Sequence, residues 1–133
     1  MTHNKLTTIG QIMLADSTLC TMLALKNNGT ERAIFEDEIP VDDYVLPAIS
    51  YQFINGGFYN PIINQDQFFI RIHSTYSADV LTIGNRIRVL FDDTSVTYNG
   101  VTYKAIIDTG VNTVSEDVCT HVYTLTLKQL KGV

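Results

Sequence analysis

Three histidines, two cysteines and a group of carboxylates are the residues of this chain that could do chemistry. His73, His121 and Cys119 could meet across neighbouring strands, where imidazole and thiolate groups bind zinc or form a nucleophile and its base. However, Cys119 and His121 are two residues apart, so any strand places them on one face. The nucleotide-binding, hydrolase and Cys-x-x-Cys motifs are missing. We therefore predict no catalytic residue, no metal site and no cofactor, and expect that the chain is not an enzyme.

A cluster of carboxylates lies in an acidic excursion at about residues 31–45. Such side chains could supply oxygen ligands to a divalent cation, but their spacing lacks the alternating ligands and the central glycine of a calcium loop. We predict a solvated, repulsive loop, which could also line the channel of a ring and repel phosphate groups. The residues concerned are Glu36, Asp37, Glu38, Asp42 and Asp43.

The net charge of −5 comes from this excursion, because residues 31–43 carry six acidic side chains against one arginine. The lysines and arginines are scattered along the chain, whereas nucleic-acid binders cluster them on one face. We therefore predict no direct nucleic-acid binding. Residues 44–65 contain no charge, but their prolines and glycines argue against a membrane span. The first ten residues lack the pattern of a secretory signal, so we expect synthesis inside the cell.

The composition predicts one domain over residues 1–133 with a surface that is partly covered. Hydrophobic residues make up 45% of the chain, which is enough for a single core. Charged residues make up 17%, below the roughly 25% that is typical of soluble domains. Cys20 and Cys119 are interpreted as small buried hydrophobic residues, without support for a disulfide.

Helical spacing predicts two helices. The first stripe ends before Asn27, and Asp16 falls on it, which indicates either a kink or a second N-cap. The second helix opens at Thr75 or Ser77. The stripes consist of Ile9, Ile12, Met13, Leu19, Cys20 and Leu23 in the first helix and of Val80, Ile83, Ile87 and Leu90 in the second.

Alternating patterns predict five strands. One begins at Ala48, a second contains Phe68, Ile70 and Ile72, and a long one spans residues 118–127. Asn99-Gly100 predicts a tight hairpin between two more strands. The order helix, strand, strand, helix and three strands predicts an α+β fold with a single mostly antiparallel sheet and two helices packed on one face. The other face would be polar.

An apolar loop at about residues 55–66 is the predicted interaction site. Its hydrophobic side chains could fold back onto the core of the same molecule, or they could contact a partner. Burying them against a neighbour would remove on the order of 300 to 500 Å² from water, which favours association by several kcal/mol at ~25 cal/mol per Å² before association costs. The residues of this predicted interface are Phe58, Tyr59, Pro61, Ile62 and Ile63.

Four segments carry a resemblance to a known family. They are the broken helix TIGQIMLADSTLCTMLAL, the strand entry LPAISYQF, the strand QFFIRIHS and the helix SADVLTIGNRIRVLF, with the late hairpin after them. In this order they resemble the tail completion proteins, or tail terminators, of long-tailed bacteriophages. The resemblance covers about residues 9–127, and it is a resemblance of pattern. The acidic excursion is a departure from the family pattern.

The resemblance implies a structural virion protein and no catalysis. Such a subunit forms a homohexameric ring on the end of the tail tube, stops tube polymerisation and joins the tail to the head connector. Its partners would be copies of itself, the tail tube protein and the connector or stopper protein. It would be assembled in the host cytoplasm and reside at the head-proximal end of the tail.

Three alternatives remain at the level of sequence. The first is another neck or head-tail joining protein of a phage. The second is a non-viral binding module that uses its polar sheet face, for example for single-stranded RNA. The third is a small enzyme that uses His73 and His121 with a nearby carboxylate.

Overall fold

The computed structural model describes residues 4–56, 63–98, 100–115 and 117–130. In chain order its elements are α1 (Asn4–Ala15), α2 (Ser17–Thr21), β1 (Ile34–Glu36), a 3-10 turn (Val41–Asp43), β2 (Ala48–Gly56), β3 (Ile63–Ser74), α3 (Ser77–Phe91), β4 (Thr94–Tyr98), β5 (Val101–Ser115) and β6 (Val118–Leu130). The strands form one sheet in the order β1-β2-β3-β6-β5-β4. Each neighbouring pair is antiparallel except β1 and β2, which are parallel. Among the described helices, none is long and apolar enough to cross a membrane.

The fold is α+β as the sequence predicts, but two details of that prediction are wrong. The sheet is mixed, because β1 adds a parallel strand from within the acidic excursion, where we predicted no strand. Ile34 and Phe35 of β1 are buried on opposite sides of the sheet, in two separate hydrophobic clusters. Three residues are too few to show an alternating pattern, so the strand is not visible in the sequence.

The second detail is the number of helices, which is three because Asp16 divides the first predicted helix. The Asp16 carboxylate accepts a hydrogen bond from the backbone N–H of Leu19 at 2.9 Å and so caps α2. Arg86 of α3 donates to both oxygens of the same carboxylate, at 2.8 and 2.7 Å. These bonds from Arg86 lower the pKa of Asp16. The N-cap alternative is therefore the correct one, and it also ties α2 to α3.

The core lies between one face of the sheet and the helices. α3 packs on β3, β6, β5 and β4, and α1 packs on β1 and β2. Gly84 allows a close approach of α3 to β6, because a Cβ atom there would lie 2.2 Å from the Tyr123 hydroxyl. The largest fully buried side chains are Phe68, Phe91, Ile9, Met13, Leu19, Ile49, Ile70, Ile72, Ile83, Ile87, Leu125 and Leu127. We call this side of the sheet the helix face and the other side the open face.

A β-bulge in β5 changes which residues point to the helix face. Ile107 pairs with Leu125, and Thr109 pairs with Tyr123, but the next paired residue is Asn112, opposite His121. β5 therefore contains one extra residue at this point, and its alternation is shifted beyond it. As a result, odd-numbered residues face the helices before the bulge and even-numbered residues do so after it.

The predicted β4–β5 hairpin is confirmed. Tyr98 pairs with Val101, which leaves two residues for the turn, and Gly100 has a φ of 78°. This left-handed conformation is one that glycine adopts without strain.

Candidate functional site

The open face of the sheet carries a hydrogen-bonded polar network around His73. The Nε2 atom of His73 lies 2.9 Å from the Ser50 hydroxyl, and its Nδ1 atom lies 3.1 Å from the Thr120 hydroxyl. Beside it, Arg71 donates to the Gln52 side chain at 2.5 Å and stacks over the Phe69 ring at 4.7 Å. Burial, and then the neighbouring Arg71 charge, lower the pKa of His73. Both ring nitrogens of a neutral His73 are thus satisfied within the sheet.

The acidic excursion forms one wall of a polar groove of about 440 Å³ over this network. Asp37, Glu38 and Tyr44 line it from the excursion, opposite Arg71 and His73 of β3. The segment is anchored beneath by the second hydrophobic cluster, which contains Ala33, Phe35 and Ala48. The excursion is consequently a folded part of the domain.

The predicted acidic residues have the exposure that a solvated segment requires. Glu36, Asp37, Glu38 and Asp42 are exposed. Asp43 ends the 3-10 turn, and its side chain is not among those that the structure describes. In the described part of the chain, no three His, Cys, Asp or Glu side chains come together as a metal site would require.

The two strand histidines point to opposite faces of the sheet. Ile72 is the residue opposite His121, while His73 is opposite Thr120. Since successive side chains of a strand alternate between faces, His73 belongs to the open face and His121 to the helix face. The structure therefore does not bring His73, His121 and Cys119 into one site, although it does place Cys119 beside His121 in a second groove.

This second groove, which we call the arm groove, has a volume of about 420 Å³ and lies between α3 and the β5–β6 hairpin. From the helix, it is lined by a stripe that repeats every three or four residues. From the hairpin, it is lined by residues at and beyond the bulge. Its lining includes Val80, Leu81, Arg88, Val114, Cys119 and His121.

His121 is one of several polar residues in the wall of the arm groove. Its Nδ1 atom is hydrogen-bonded to the Asn112 side chain, and its ring meets the Tyr123 ring edge-on at 4.5 Å between centroids. Only 7% of the residue is exposed. Its Nε2 atom is buried and has no hydrogen-bond partner among the described residues. Burial, and then the charge of Arg88, lower the pKa of His121. A neutral ring therefore leaves a buried nitrogen behind this wall without a partner in the described part of the chain.

Exposed apolar side chains border the arm groove. Leu81 of α3 is 64% exposed and Val114 of β5 is 73% exposed. Sequence reasoning did not find this groove. Val114 belongs to it only because the bulge turns even-numbered residues toward the helices, and one extra residue in an irregular strand leaves no clear sequence signal.

The predicted interface residues Phe58, Tyr59, Pro61 and Ile62 lie outside the described residues. Ile63 is the first residue of β3 and pairs with Leu130, and its side chain lies outside the description as well. That prediction stays a prediction.

The fold of this chain has a counterpart among solved structures. No protein-family model matches the chain, and no curated protein matches it significantly. Among solved structures, the chain is similar to a chain of the virion of the native gene transfer agent (GTA) particle. The TM-score is 0.67 at 10% sequence identity, over 94% of this chain and 93% of the other. At this identity the similarity shows a shared fold.

Proposed function

We propose that this chain is a structural virion protein, namely a tail terminator or tail completion subunit. In this proposal, six copies form a ring on the end of the tail tube, stop its polymerisation and join the tail to the head connector. The subunit would reside at the head-proximal end of the tail. Its partners would be copies of itself, the tail tube protein and the connector protein.

One observation carries the virion part of the proposal. The chain shares its fold with a virion chain over nearly the full length of both. The ring and its place in the tail are supported by the resemblance of the broken first helix, the β2 and β3 strands and α3 to tail completion proteins.

The surface of the subunit supports a role in assembly. The last eight residues of β5 are all exposed, and they include Val111 and Val114. The described pairings between β4 and β5 end at Ala105, so β4 does not cover the later outer edge of β5. An edge that is free to pair or pack with another chain is a common basis for subunit contacts.

The negative charge of the acidic excursion supports a subunit that lies close to nucleic acid but does not bind it. Its exposed carboxylates would repel phosphate groups if they faced the channel of a ring. The same carboxylates stand beside Arg71 on the open face, whose guanidinium already binds Gln52 and stacks on Phe69. This arrangement does not favour the alternative in which the open face binds RNA.

The proposal assigns no catalytic step to the chain. An enzyme built on the two strand histidines would need both in one site, whereas the sheet separates them. Ser50, whose hydroxyl contacts His73, is only 3% exposed. The other ring nitrogen of His73 contacts the Thr120 hydroxyl and not a carboxylate. A hydrolytic triad orients its histidine with a carboxylate and exposes its nucleophile to the substrate.

The test is to silence expression of this chain in cells that produce the particle and to examine the particles by negative-stain electron microscopy. We expect tails of uncontrolled length and heads without tails, both reversed by supplying the wild-type chain. The purified chain, alone or with tail tubes, should form rings with a mass near six times 14.9 kDa. Tails of normal length joined to heads in the silenced cells would contradict the proposal.

A further inference from the structure

The arm groove and the two residues that flank segment 57–62, Gly56 and Ile63, lie at opposite ends of the same sheet. Residues 57–62 connect Gly56, the last residue of β2, to Ile63, the first residue of β3. The arm groove lies at the other end, at the level where His121 pairs with Ile72. Nine residues of β3 separate Ile63 from Ile72, which is about 30 Å at roughly 3.3 Å per residue.

The segment therefore cannot fill the groove of its own molecule. The connection from Gly56 to Ile63 spans seven Cα–Cα distances. Because the sheet holds both of its ends, it can extend away from them by no more than about half its full length. This is on the order of 12 Å at roughly 3.3–3.6 Å per residue. The near end of the arm groove, where Tyr123 pairs with Ile70, is seven residues of β3 from Ile63. This is on the order of 23 Å at roughly 3.3 Å per residue, about twice that reach, so a segment in the groove must come from another molecule.

The chemistry of the two surfaces is complementary. Residues 57–62 have the sequence GFYNPI, which is mostly apolar and carries no charge. The arm groove offers Val80, Leu81 and Val114 for apolar contact. Its buried His121 Nε2 atom lacks a hydrogen-bond donor among the described residues, and the segment brings donors in the Tyr59 hydroxyl and the Asn60 amide. A buried acceptor without a partner is costly, so a donor that enters with the segment would stabilise the contact once a small shift of the groove wall exposes this nitrogen.

We infer that the arm groove of one copy receives residues 57–62 of a neighbouring copy. The inference rests on the proposed function, because an assembly of copies is what places a neighbouring segment beside each groove. The groove and the anchors of the segment, Gly56 and Ile63, lie at opposite ends of the sheet, so the contact runs head to tail. Such heterologous contacts close into a ring when the rotation between neighbours permits.

Cysteine crosslinking tests this contact directly, since Cys119 already lines the arm groove and is a free thiol. In a Cys20→Ser background, Ile62→Cys places a thiol in the segment, and oxidised glutathione accepts the two electrons of disulfide formation. Both the purified chain and the assembled particles are analysed on non-reducing gels. We expect a ladder of covalent multimers in steps of 14.9 kDa. The ladder should be lost when Cys119→Ser is added.

The control for nonspecific oxidation is Val41→Cys in the same background, because Val41 is 92% exposed and does not line the arm groove. It should give no ladder that depends on Cys119. If the Ile62→Cys chain gives no such ladder in solution or in particles, or if Val41→Cys gives the same ladder, the inference is wrong. The inference is also wrong if Ile62→Cys becomes crosslinked to a different virion protein instead of to Cys119 of a neighbouring copy.

A matched pair of α3 variants tests the groove side of the contact. Leu81 and Val89 are 64% and 63% exposed on the same helix, but only Leu81 lines the arm groove. Leu81→Asp should abolish the ladder, and Val89→Asp should leave it unchanged. Equal effects of the two changes would contradict the inference.

The same gels separate this inference from the proposed function. A chain that is present in purified particles but forms no Cys119 ladder would refute the head-to-tail contact and leave the virion role standing. A chain that forms the ladder in solution but is absent from particles would refute the virion role and support the contact.

Discussion

The two halves of β5 differ in environment although they belong to one strand. In the proximal half, residues 101–107, Tyr103, Ala105 and Ile107 are buried against the helices. In the distal half, residues 108–115, every residue is exposed. β4 pairs with residues 101–105 alone, so the distal half has one strand neighbour, β6.

The difference indicates that the distal half is longer than the core of the monomer requires. Ordering a residue costs about 1–2 kcal/mol of backbone entropy, and buried apolar contacts offset this cost in the proximal half. The distal half is stabilised by its pairing with β6 and by bonds such as that from Arg88 to the Thr109 hydroxyl at 3.0 Å. We therefore interpret the proximal half as part of the core and the distal half as a surface for assembly. Three experiments on this hairpin test the difference between the two halves of β5.

The largest effect is expected from a matched pair of truncations on the helix face. Ile107 is 5% exposed and Val114 is 73% exposed, and the bulge places both side chains on the same side of the sheet. Ile107→Ala should lower the free energy of unfolding by about 2–5 kcal/mol through lost burial and a cavity. Val114→Ala should change it by no more than about 0.5 kcal/mol. Urea unfolding followed by circular dichroism measures both.

The same pair should separate stability from assembly. Val114→Ala is expected to weaken self-association in the crosslinking assay, whereas its folding stays intact. Equal losses of stability in the two variants would mean that the halves of β5 do not differ as described.

A smaller effect is expected at the bulge that joins the halves. A Cβ atom on Gly110 would lie 2.5 Å from the backbone oxygen of Val122, which cannot move away as a flexible side chain could. Gly110→Ala should therefore destabilise the fold by about 1–3 kcal/mol and displace the distal half from β6. Amide hydrogen exchange should show the loss of protection in residues 112–115 rather than in residues 101–107. Uniform loss along β5 would contradict a role specific to the bulge.

The smallest effect is expected from the pH dependence of His121. Because its folded pKa lies below its usual value, the unfolded chain takes up a proton first as the pH falls. The contribution of His121 to stability is therefore complete above about pH 6.5 and is lost as the pH drops from there toward the folded pKa. His121→Asn should make the unfolding free energy less dependent on pH across this window.

His73 provides the comparison for this experiment, because its pKa is lowered as well and it contributes in the same direction. The pH dependence that remains in His121→Asn should fall further when His73→Asn is added. An unchanged pH profile in His121→Asn would show that the buried ring does not behave as the geometry indicates.

Much of the fold could be predicted from the sequence, since it depends on regular spacing. The stripe of α3, the alternation of Phe68, Ile70 and Ile72, and the turn at Gly100 all appear where the sequence predicts them. The parallel strand β1 could not be predicted, because it is held by its pairing with β2 and by two clusters distant in sequence. The arm groove could not be predicted, because it forms between α3 and the β5–β6 hairpin, which are distant in sequence and meet only in the folded chain.

The amino-acid sequence alone determines the helix and strand periods and the acidic character of residues 31–43, because these depend on neighbours within a few positions. At Asp16 it leaves a kink and an N-cap as alternatives, and the fold decides for the cap. The tertiary structure alone decided that His73 and His121 lie on opposite faces and that Val114 turns toward α3. The reason is register: pairing between distant strands fixes which face each residue occupies, and a single extra residue in β5 reverses that choice.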